Sequence, residues 1–444
     1  MYAQPAFSRQ FWAHFVEHHW EKRPLLLKRP LPTLLATPRE VFRRLVKASE
    51  RYRADDQDVL LRFNVEHALQ QAEIGKYLPV MGDRSWSGYA ARIHQQLNGR
   101  QFALAVNEYH AHDPQTWLRL REFLRGLYDF IGIPVHLTEP ILFLGDYDKT
   151  PSGIHKDTSS TFAFVIEGKR RLLAWPDEFF RGRPDSLDYE RFRDQAITLE
   201  GEPGDILYWP SSYWHVGECV GGLSLTLNVA IWLKPGPSSD VYSDALRVVG
   251  KLLRASEGAA IRPFQPDQLK ESARKLPPVL DRAITALAAA SREPAFKQAL
   301  MVAWLNRLAS FGFQSVPPPM PRKRLKDDDV VRADPHYPIL WLPAENNDII
   351  CSANGHAFAL ASHPKILELL ARLNGGEPAR VKSLVNDYRG TTEVDHVEFE
   401  ASPKDIRALL EKLYSLRAIT VSGSIQAQAG TGFGTRTAGR PLGL

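Results

Sequence analysis

The chain has 444 residues, of which 44% are hydrophobic, 10% aromatic and 24% charged. This composition is typical of a globular protein, and the length favours two or three domains over a single core. A formal net charge of +5 arises from 56 basic and 51 acidic residues. So small an excess argues against nucleic acid as a direct partner outside a ribosomal context.

Cysteine content and apolar runs bear on the cellular compartment. Cys219 and Cys351 lie far apart and form no CxxC pair, which fits a reducing environment and excludes a disulfide framework. The first residues show no basic segment followed by an apolar one, and no run reaches the roughly 18 apolar residues that span a bilayer. We therefore expect a cytoplasmic protein that does not associate with membranes.

The first third of the chain begins with a predicted helix. Ser8 is a plausible N-cap, apolar residues follow at helical spacing up to Trp20, and Pro24 ends the pattern. Residues 25–27 are three leucines and predict a short buried strand. From about 102 to 233, short apolar runs separated by turn residues predict an antiparallel sandwich or barrel. The predicted strands are 102–106, 141–144, 161–166, 170–175, 205–209 and 223–232.

The remaining sequence predicts helices, a linker and a second domain. Helical spacing returns at 242–253 and 279–308, and the proline-rich, charged segment 317–334 predicts a stiff linker. Beyond it, strands are expected near 339–342, 348–352 and 356–360, followed by helices starting near His363, Ala379 and Pro403. Residues 422–444 are rich in small residues, which predicts a disordered tail.

Three polar residues in the strand-rich region have the spacing of a metal site. His155 and Asp157 are two residues apart, so on a strand they would point to the same side. His215 follows 60 residues later at the end of GDILYWPSSYWH, where a Gly-Asp turn precedes an apolar strand. Two histidines and one carboxylate are the ligand set of non-haem iron(II) oxygenases, which leaves coordination positions open. We predict that His155, Asp157 and His215 bind the metal and form the catalytic centre.

With these motifs the sequence resembles the cupin-like JmjC iron(II)- and 2-oxoglutarate-dependent oxygenases, especially asparaginyl hydroxylases and bacterial ribosomal oxygenases. The resemblance implies an α+β protein with a double-stranded β-helix (jelly-roll) core over 1–236. It also implies Fe(II) as cofactor, 2-oxoglutarate as cosubstrate, and hydroxylation of a residue in a protein or peptide.

The same resemblance assigns the cosubstrate pocket. The basic residue thirteen positions after the metal-binding aspartate is Arg170, and Gly168 matches a family glycine. Strand alternation agrees in part, because Arg170 would share a face with Leu172 and Ala174 while Lys169 and Arg171 point the opposite way. By resemblance, Asn228, Thr161 and Ser152 also belong to the cosubstrate pocket, although for these three a purely structural role is equally compatible with the sequence.

Other polar and aromatic groups have simpler interpretations. His110 and His112 resemble a metal pair, but Pro114 predicts a loop there and we expect no metal. Tyr208, Trp209, Tyr213 and Trp214 are expected to pack around the metal-bearing strand. Asn107 and Tyr109 are candidates for the entrance of the active site.

The resemblance to ribosomal oxygenases extends to both ends of the chain. Residues 15–29 match their N-terminal opening, 237–316 their helical dimerisation region and 335–421 their C-terminal winged helix. The 237–316 region could equally be a packing layer of a monomer, so a homodimer rests on analogy. The order of elements in 335–421 also resembles PqqD-like domains, which capture leader peptides, and both resemblances favour a polypeptide substrate. Two other functions remain open, an N-methyl demethylase of the same chemistry and a non-enzymatic cupin used for binding or regulation.

Overall fold

The structure is a computed structural model that describes residues 7–56, 58–70, 73–134, 136–180, 182, 188–232, 245–250, 278–344, 348–394 and 397–422. Most of the predicted dimerisation region before 278 and the tail beyond 422 lie outside the described residues. The chain divides into two compact units, one made of Met1–Lys234, Gly312–Pro319 and Val421–Leu444, the other of Pro235–Phe311 and Met320–Thr420. In the part of the chain that is described, no helix has the length and apolarity to cross a membrane.

Six helices lie in the described part of the first unit. The predicted N-terminal helix is present, and the Ser8 hydroxyl accepts a hydrogen bond from the Phe11 amide. The second helix was not predicted from the sequence, although Thr37 and Glu40 form a reciprocal capping box at its start. The helices are α1 Arg9–His18, α2 Pro38–Arg53, α3 Ile74–Tyr77, α4 Trp86–Gln96, α5 Tyr109–His112 and α6 Pro114–Ile131.

A nine-stranded antiparallel sheet forms the body of the first unit. Its strands are β1 Leu25–Leu27, β2 Leu61–Val65, β3 Ala68–Leu69, β4 Phe102–Val106, β5 Leu137–Gly145, β6 Ser159–Pro176, β7 Ile197–Gly201, β8 Ile206–Trp209 and β9 Tyr213–Trp232. The order is β1-β8-β6-β9-β5-β4-β2-β3, with β7 paired to the second half of β6. The architecture is therefore α+β with a large antiparallel sheet, in agreement with the predicted class.

The long β6–β9 ladder is bent in its middle. The two predicted strands 161–166 and 170–175 are halves of one strand, β6, and the register with β9 shifts between Val165 and Lys169. Gly168 lies in this irregularity with a φ of +71°, and a Cβ on it would come within 2.1 Å of the Leu223 carbonyl oxygen. Only glycine fits such a backbone conformation and approach without strain.

The two faces of the sheet have different surroundings. Phe162 on β6 points to the helical side, where it packs against Trp12, Phe15 and Phe123 with ring centroids 5.3 to 6.3 Å apart. The alternate residues of β6 and β8 form a separate apolar cluster on the other side, which continues onto the second half of β6. This cluster contains Ala163, Val165, Leu172, Ala174, Leu199, Leu207 and Trp209. We call the face that carries it the inner face.

The second unit contains the predicted C-terminal strands and helices, each within a few residues of its expected position. Its helices are α7 Pro278–Ala290, α8 Pro294–Ala309, α9 Pro364–Asn374, α10 Val381–Tyr388 and α11 Pro403–Ser415. Its strands are β10 Val330–Ala333, β11 Leu340–Pro343, β12 Asp348–Ala353, β13 His356–Ala361, β14 Ala379–Arg380, β15 Gly390–Val394, β16 Val397–Ala401 and β17 Ile419–Val421. They form sheets of order β14-β10-β17 and β11-β12-β13 and a β15-β16 hairpin.

Part of the predicted linker packs against this second unit. Leu325 is buried, its amide donates to a Glu411 carboxylate oxygen at 3.0 Å, and Arg407 donates to its carbonyl oxygen at 2.8 Å. The Met320 amide also donates to the Ser415 carbonyl oxygen. Residues 320–325 are therefore held by α11.

Candidate metal centre

The three predicted metal ligands come together on the inner face. His215 lies near the start of β9, opposite Ala174 of β6. His155 precedes β6 and forms an isolated antiparallel bridge with His215, with main-chain hydrogen bonds of 3.0 and 2.8 Å. The expectation that His155 and Asp157 lie on one strand was wrong. Asp157 follows the bridge in an irregular stretch, and the bridge to β9 positions the pair.

The potential ligand atoms face a common point. One ligand atom from each of His155, Asp157 and His215 lies within 4.8 Å of the other two. The Asp157 Oδ2 atom is 3.8 Å from Nε2 of His155 and 3.6 Å from Nε2 of His215. These separations are close to those of ligand pairs about 2 Å from a shared ion, so only small side-chain adjustments are needed to bind one.

Backbone carbonyl groups fix the orientation of both imidazole rings. Nδ1 of His155 is 2.9 Å from the Gly153 carbonyl oxygen, and Nδ1 of His215 is 3.3 Å from that of Tyr213. A carbonyl oxygen only accepts, so Nδ1 carries the proton and the lone pair is on Nε2, the atom that faces Asp157. Both rings are therefore held in the tautomer that binds a metal.

Burial keeps His215 in the neutral form that metal binding requires. Burial, and then the neighbouring His155, lower the pKa of His215 to about 4. The ring of Trp209 lies 5.2 Å from that of His215 and covers it. The side chains of His155 and Asp157 are 31% and 38% exposed, so solvent and substrate can reach the centre from their side.

Arg170 lies on the same face as the metal ligands. On the paired strands, Ala174 is opposite His215, Leu172 is opposite Gly217 and Arg170 is opposite Cys219. Directly opposed residues of an antiparallel pair point to the same side of the sheet. Along β6, Arg170 is four residues from Ala174, the residue opposite His215, which corresponds to about 13 Å between their backbones. The long Arg170 side chain can bring the guanidinium closer to the metal ligands than this.

The charge of Arg170 is not balanced by a carboxylate among the described residues. Only 6% of Arg170 is exposed, and its Nη1 donates to the Tyr147 hydroxyl at 2.7 Å. Burial raises the pKa of Tyr147, so this partner is neutral. In contrast, Lys169 pairs with Glu202 at 3.0 Å and Arg171 with Glu200 at 2.8 Å on the opposite face. A buried cation without a counterion is costly, which makes Arg170 a candidate for binding an anion.

A missing side chain provides the space for Arg170. A Cβ at Gly217 would lie 2.1 Å from Nη2 of Arg170, so no other residue fits there without moving the guanidinium. Neither Tyr147 nor Gly217 was predicted from the sequence. Gly217 could have been found, since it is two residues after His215 and must share its face.

The other predicted cosubstrate residues occupy different places. Thr161 and Asn228 are on the inner face, opposite Ala230 and Ala163 respectively. Asn228 Oδ1 is buried without a hydrogen-bond partner, so a ligand could satisfy it. Ser152 is exposed, and its hydroxyl is 3.2 Å from Nδ1 of His155. Its contact is therefore with a metal ligand.

Two predictions about the 107–112 segment need correction. His110 and His112 lie on the short helix α5, where a loop was expected. Asp113 ends this helix and caps the N-terminus of the following helix α6. Nε2 of His110 contacts the Ser315 carbonyl oxygen, whereas Nδ1 of His112 contacts Arg51. Tyr109 is fully buried and cannot form an entrance.

Asn107 is half-buried and donates to Glu139 at 2.7 Å. The aromatic residues near the metal strand pack as expected. Tyr208 is fully buried against Phe15 and Phe162.

No protein-family model matches the chain. Among solved structures it is similar to the ribosomal oxygenase YcfD from Escherichia coli in complex with cobalt and succinic acid, with 18% identity, a TM-score of 0.47, and coverage of 93% of this chain and 98% of that one. A second YcfD crystal structure has 18% identity, a TM-score of 0.48, and coverage of 95% and 100%. An oxalate decarboxylase from Bacillus subtilis has 17% identity, a TM-score of 0.17, and coverage of 25% and 26%.

Proposed function

We propose that this protein is an Fe(II)- and 2-oxoglutarate-dependent oxygenase that hydroxylates a residue of a protein or peptide. The observation that carries the proposal is the pairing of two features on one face of the sheet. The first is the His155, Asp157, His215 cluster with both Nε2 atoms directed at the carboxylate. The second is Arg170, a buried cation without a carboxylate partner in the described chain.

The cluster suits Fe(II) by its donor set. Two imidazoles and one carboxylate match the facial ligand set of non-haem iron and leave the opposite coordination positions free. The carbonyl groups of Gly153 and Tyr213 would hold the rings in place as the ion binds or leaves. In the described residues this is the one group of three metal-ligating side chains.

Arg170 suits the far carboxylate of 2-oxoglutarate. A guanidinium has a planar fork that binds a carboxylate with two parallel hydrogen bonds. Nη1 is oriented by Tyr147, and Gly217 leaves room around Nη2. We infer that the dicarboxylate spans from the metal centre to Arg170, with Asn228 and Thr161 along its path.

The bound iron and 2-oxoglutarate would supply the oxidation of a C–H bond by dioxygen, with release of succinate and carbon dioxide. The protein would contribute positioning. His155, Asp157 and His215 would hold three coordination sites, Arg170 would set the direction of the cosubstrate, and Trp209 would keep water from His215. The more exposed His155 and Asp157 side leaves room for the target residue.

We further infer that the bent β6–β9 ladder belongs to a double-stranded β-helix in a 1–236 oxygenase domain and that 335–421 is a winged-helix or PqqD-like domain. The sequence resemblance to asparaginyl hydroxylases and ribosomal oxygenases supports a polypeptide substrate. The arrangement of β11, β12 and β13 followed by α9, α10 and α11 supports a separate recognition domain.

Cosubstrate binding tests the proposal. The purified protein should bind Co(II) and then 2-oxoglutarate, and with Fe(II) and air it should release succinate. Arg170→Met should weaken 2-oxoglutarate binding by an amount worth about 2 to 5 kcal/mol, because a buried charge-assisted pair is lost, while Co(II) affinity is retained. Lys169→Met is the matched control, since Lys169 is on the opposite face and exposed.

A wild-type protein that binds Co(II) but neither binds 2-oxoglutarate nor releases succinate would be a non-enzymatic binding module. If succinate forms, formaldehyde release from an N-methylated peptide would identify a demethylase. A stable hydroxylated product would identify a hydroxylase.

A further inference from the structure

Six buried polar side-chain atoms on the inner face have no hydrogen-bond partner within the described residues. They belong to β6, β8 and β9, where the strand register places their side chains on the inner face. An unpaired polar atom in a protein interior is costly, so a group of them marks a candidate ligand site. The atoms are Ser159 Oγ, Trp209 Nε1, Ser224 Oγ, Thr226 Oγ1, Asn228 Oδ1 and Trp232 Nε1.

Of this group, Trp209 contacts a proposed metal ligand. Its indole ring lies 5.2 Å from the His215 ring, measured between centroids, and only 5% of the residue is exposed. Trp209 is opposite Thr161 in the first half of β6, whereas His215 is opposite Ala174 in the second half. The contact therefore joins the two halves of the bent ladder at the proposed metal centre.

The N–H of Trp209 needs an acceptor that the surrounding side chains do not provide. An indole N–H only donates, and none of the described residues accepts a hydrogen bond from this one. The cluster that contains Trp209 is apolar and includes Ala163 and Leu207. By contrast, the buried Trp175 on the opposite face donates its Nε1–H to the Phe192 carbonyl oxygen at 3.0 Å. A bound molecule with an acceptor atom would satisfy Trp209.

The proposed metal centre would hold such a molecule beside Trp209. A metal on Nε2 of His215 lies about 2 Å from that atom, so ligands on its open positions are close to the groups that contact the imidazole. A 2-oxo acid that chelates the metal presents only acceptor atoms there, namely carboxylate and keto oxygens. The carboxylate is the stronger acceptor because it carries charge.

We propose that the Trp209 indole N–H donates a hydrogen bond to the 2-oxo acid end of the cosubstrate, at the metal. This inference rests on the proposed function for the identity of the ligand. Arg170 lies toward the other end, four residues along β6 from the residue opposite His215, so separate groups recognise the two ends. A monocarboxylate such as pyruvate keeps the contact with Trp209 and loses the contact with Arg170.

Binding of two 2-oxo acids to the full-length, Co(II)-loaded protein tests this contact. Trp209→Phe keeps an aromatic ring but lacks the N–H. It should therefore weaken the binding of both 2-oxoglutarate and pyruvate by about tenfold or more, the loss expected for a hydrogen bond to a charged group. Arg170→Met should weaken only 2-oxoglutarate binding, since pyruvate has no far carboxylate. Titration followed by the visible absorption of Co(II) measures each affinity without turnover.

Two further proteins separate the N–H from the shape of the side chain. Trp175→Phe is the matched control, which should lower the free energy of unfolding because the Phe192 carbonyl oxygen loses its donor, and should leave both affinities unchanged. A benzothiophene side chain at position 209 keeps the shape of the indole and lacks only the N–H. It should reproduce the losses of Trp209→Phe, and its result decides the question if that variant fails to fold.

Three outcomes would count against this contact. Unchanged affinity for both 2-oxo acids in the benzothiophene protein overturns the proposal. An equal loss of Co(II) affinity without any 2-oxo acid also overturns it, because the N–H would then act on a water bound to the metal. Failure of the proposed function would look different, since the wild type would bind Co(II) but neither 2-oxo acid, and the inference would fall with it.

Discussion

At the scale of the residue, the proposed metal centre depends on hydrogen bonds to Nδ1 that leave Nε2 of each histidine available as a ligand. The carbonyl oxygens of Gly153 and Tyr213 accept hydrogen bonds from the Nδ1–H groups, and burial keeps His215 neutral. Asp157 then adds one negative charge. The three side chains are thus set for a divalent cation before it binds, which reduces the reorganisation that binding requires.

Removing any one ligand should abolish specific metal binding. For His155→Ala, Asp157→Ala and His215→Ala we expect Co(II) affinity to fall by more than the roughly 10- to 100-fold that loss of a supporting partner costs. Titration followed by visible absorption measures this, with circular dichroism to show that the fold is retained. His18→Ala, a partly exposed histidine on α1, should bind Co(II) as the wild type does. Undiminished binding by any of the three ligand variants would contradict the assignment.

The burial of His110 allows a prediction of how the free energy of unfolding changes with pH. Burial lowers the pKa of His110 to about 3 from its usual 6.5, so between these values the unfolded chain binds a proton that the folded one does not. The contribution of neutral His110 to the free energy of unfolding is therefore present above pH 6.5 and is lost as the pH drops below it. The loss due to His110 alone should approach about 2 kcal/mol between pH 6.5 and pH 5.

His110→Gln isolates this effect. Glutamine can still donate to the Ser315 carbonyl oxygen that Nε2 of His110 contacts, but it does not titrate. Urea unfolding of both proteins at the two pH values gives the difference. Equal pH dependence in the two proteins would show that His110 makes no such contribution.

At the scale of the element, β9 carries a proposed metal ligand, His215, and the space for the Arg170 guanidinium, at Gly217, at alternate positions. His215 and Gly217 share a face, and the paired residues of β6 place Arg170 over Gly217. The bend at Gly168 brings the two halves of the β6–β9 ladder to one cluster. The proposed metal and anion sites are therefore placed relative to each other by the register of two strands.

Gly217→Ala should weaken ligand binding at Arg170 without weakening metal binding at His155, Asp157 and His215. The new Cβ would displace the Arg170 guanidinium, so 2-oxoglutarate affinity should fall by about tenfold or more while Co(II) affinity stays near that of the wild type. Calorimetry with each ligand measures both. Gly75→Ala is a suitable control, since its Cβ would meet only ordinary contacts, the nearest 3.6 Å away. Unchanged 2-oxoglutarate affinity would show that Arg170 does not bind the cosubstrate.

At the scale of the whole molecule, each of the groups proposed for chemistry lies in the first unit, between Tyr147 and Asn228. The second unit has its own core, in which residues such as Leu369, Leu410 and Leu413 are fully buried. Ligands of the metal centre should therefore stabilise one part of the chain selectively.

Hydrogen exchange can locate that stabilisation. With Mn(II) and 2-oxoglutarate each at about 100 times its dissociation constant, the first unit should gain about 5.4 kcal/mol, roughly 2.7 kcal/mol from each ligand. Amide protection should rise in β6 and β9 and stay constant in α9 and α11. Asp157→Ala, measured identically, should show no gain. Equal protection of both units would show that they unfold together.

The sequence by itself identified most of the residues proposed for chemistry, but not the backbone conformation that holds His155 and Asp157. The H-x-D spacing, the later histidine and the alternation around Arg170 are local patterns, and so are the caps and apolar spacing that predict α1, α9 and α11. The tertiary structure decided which strands pair and in what register. That pairing placed His155 beside His215 and Tyr147 beside Arg170. These contacts join residues distant in sequence, and a period of two along a strand gives the face of a residue but not its neighbour on the next strand.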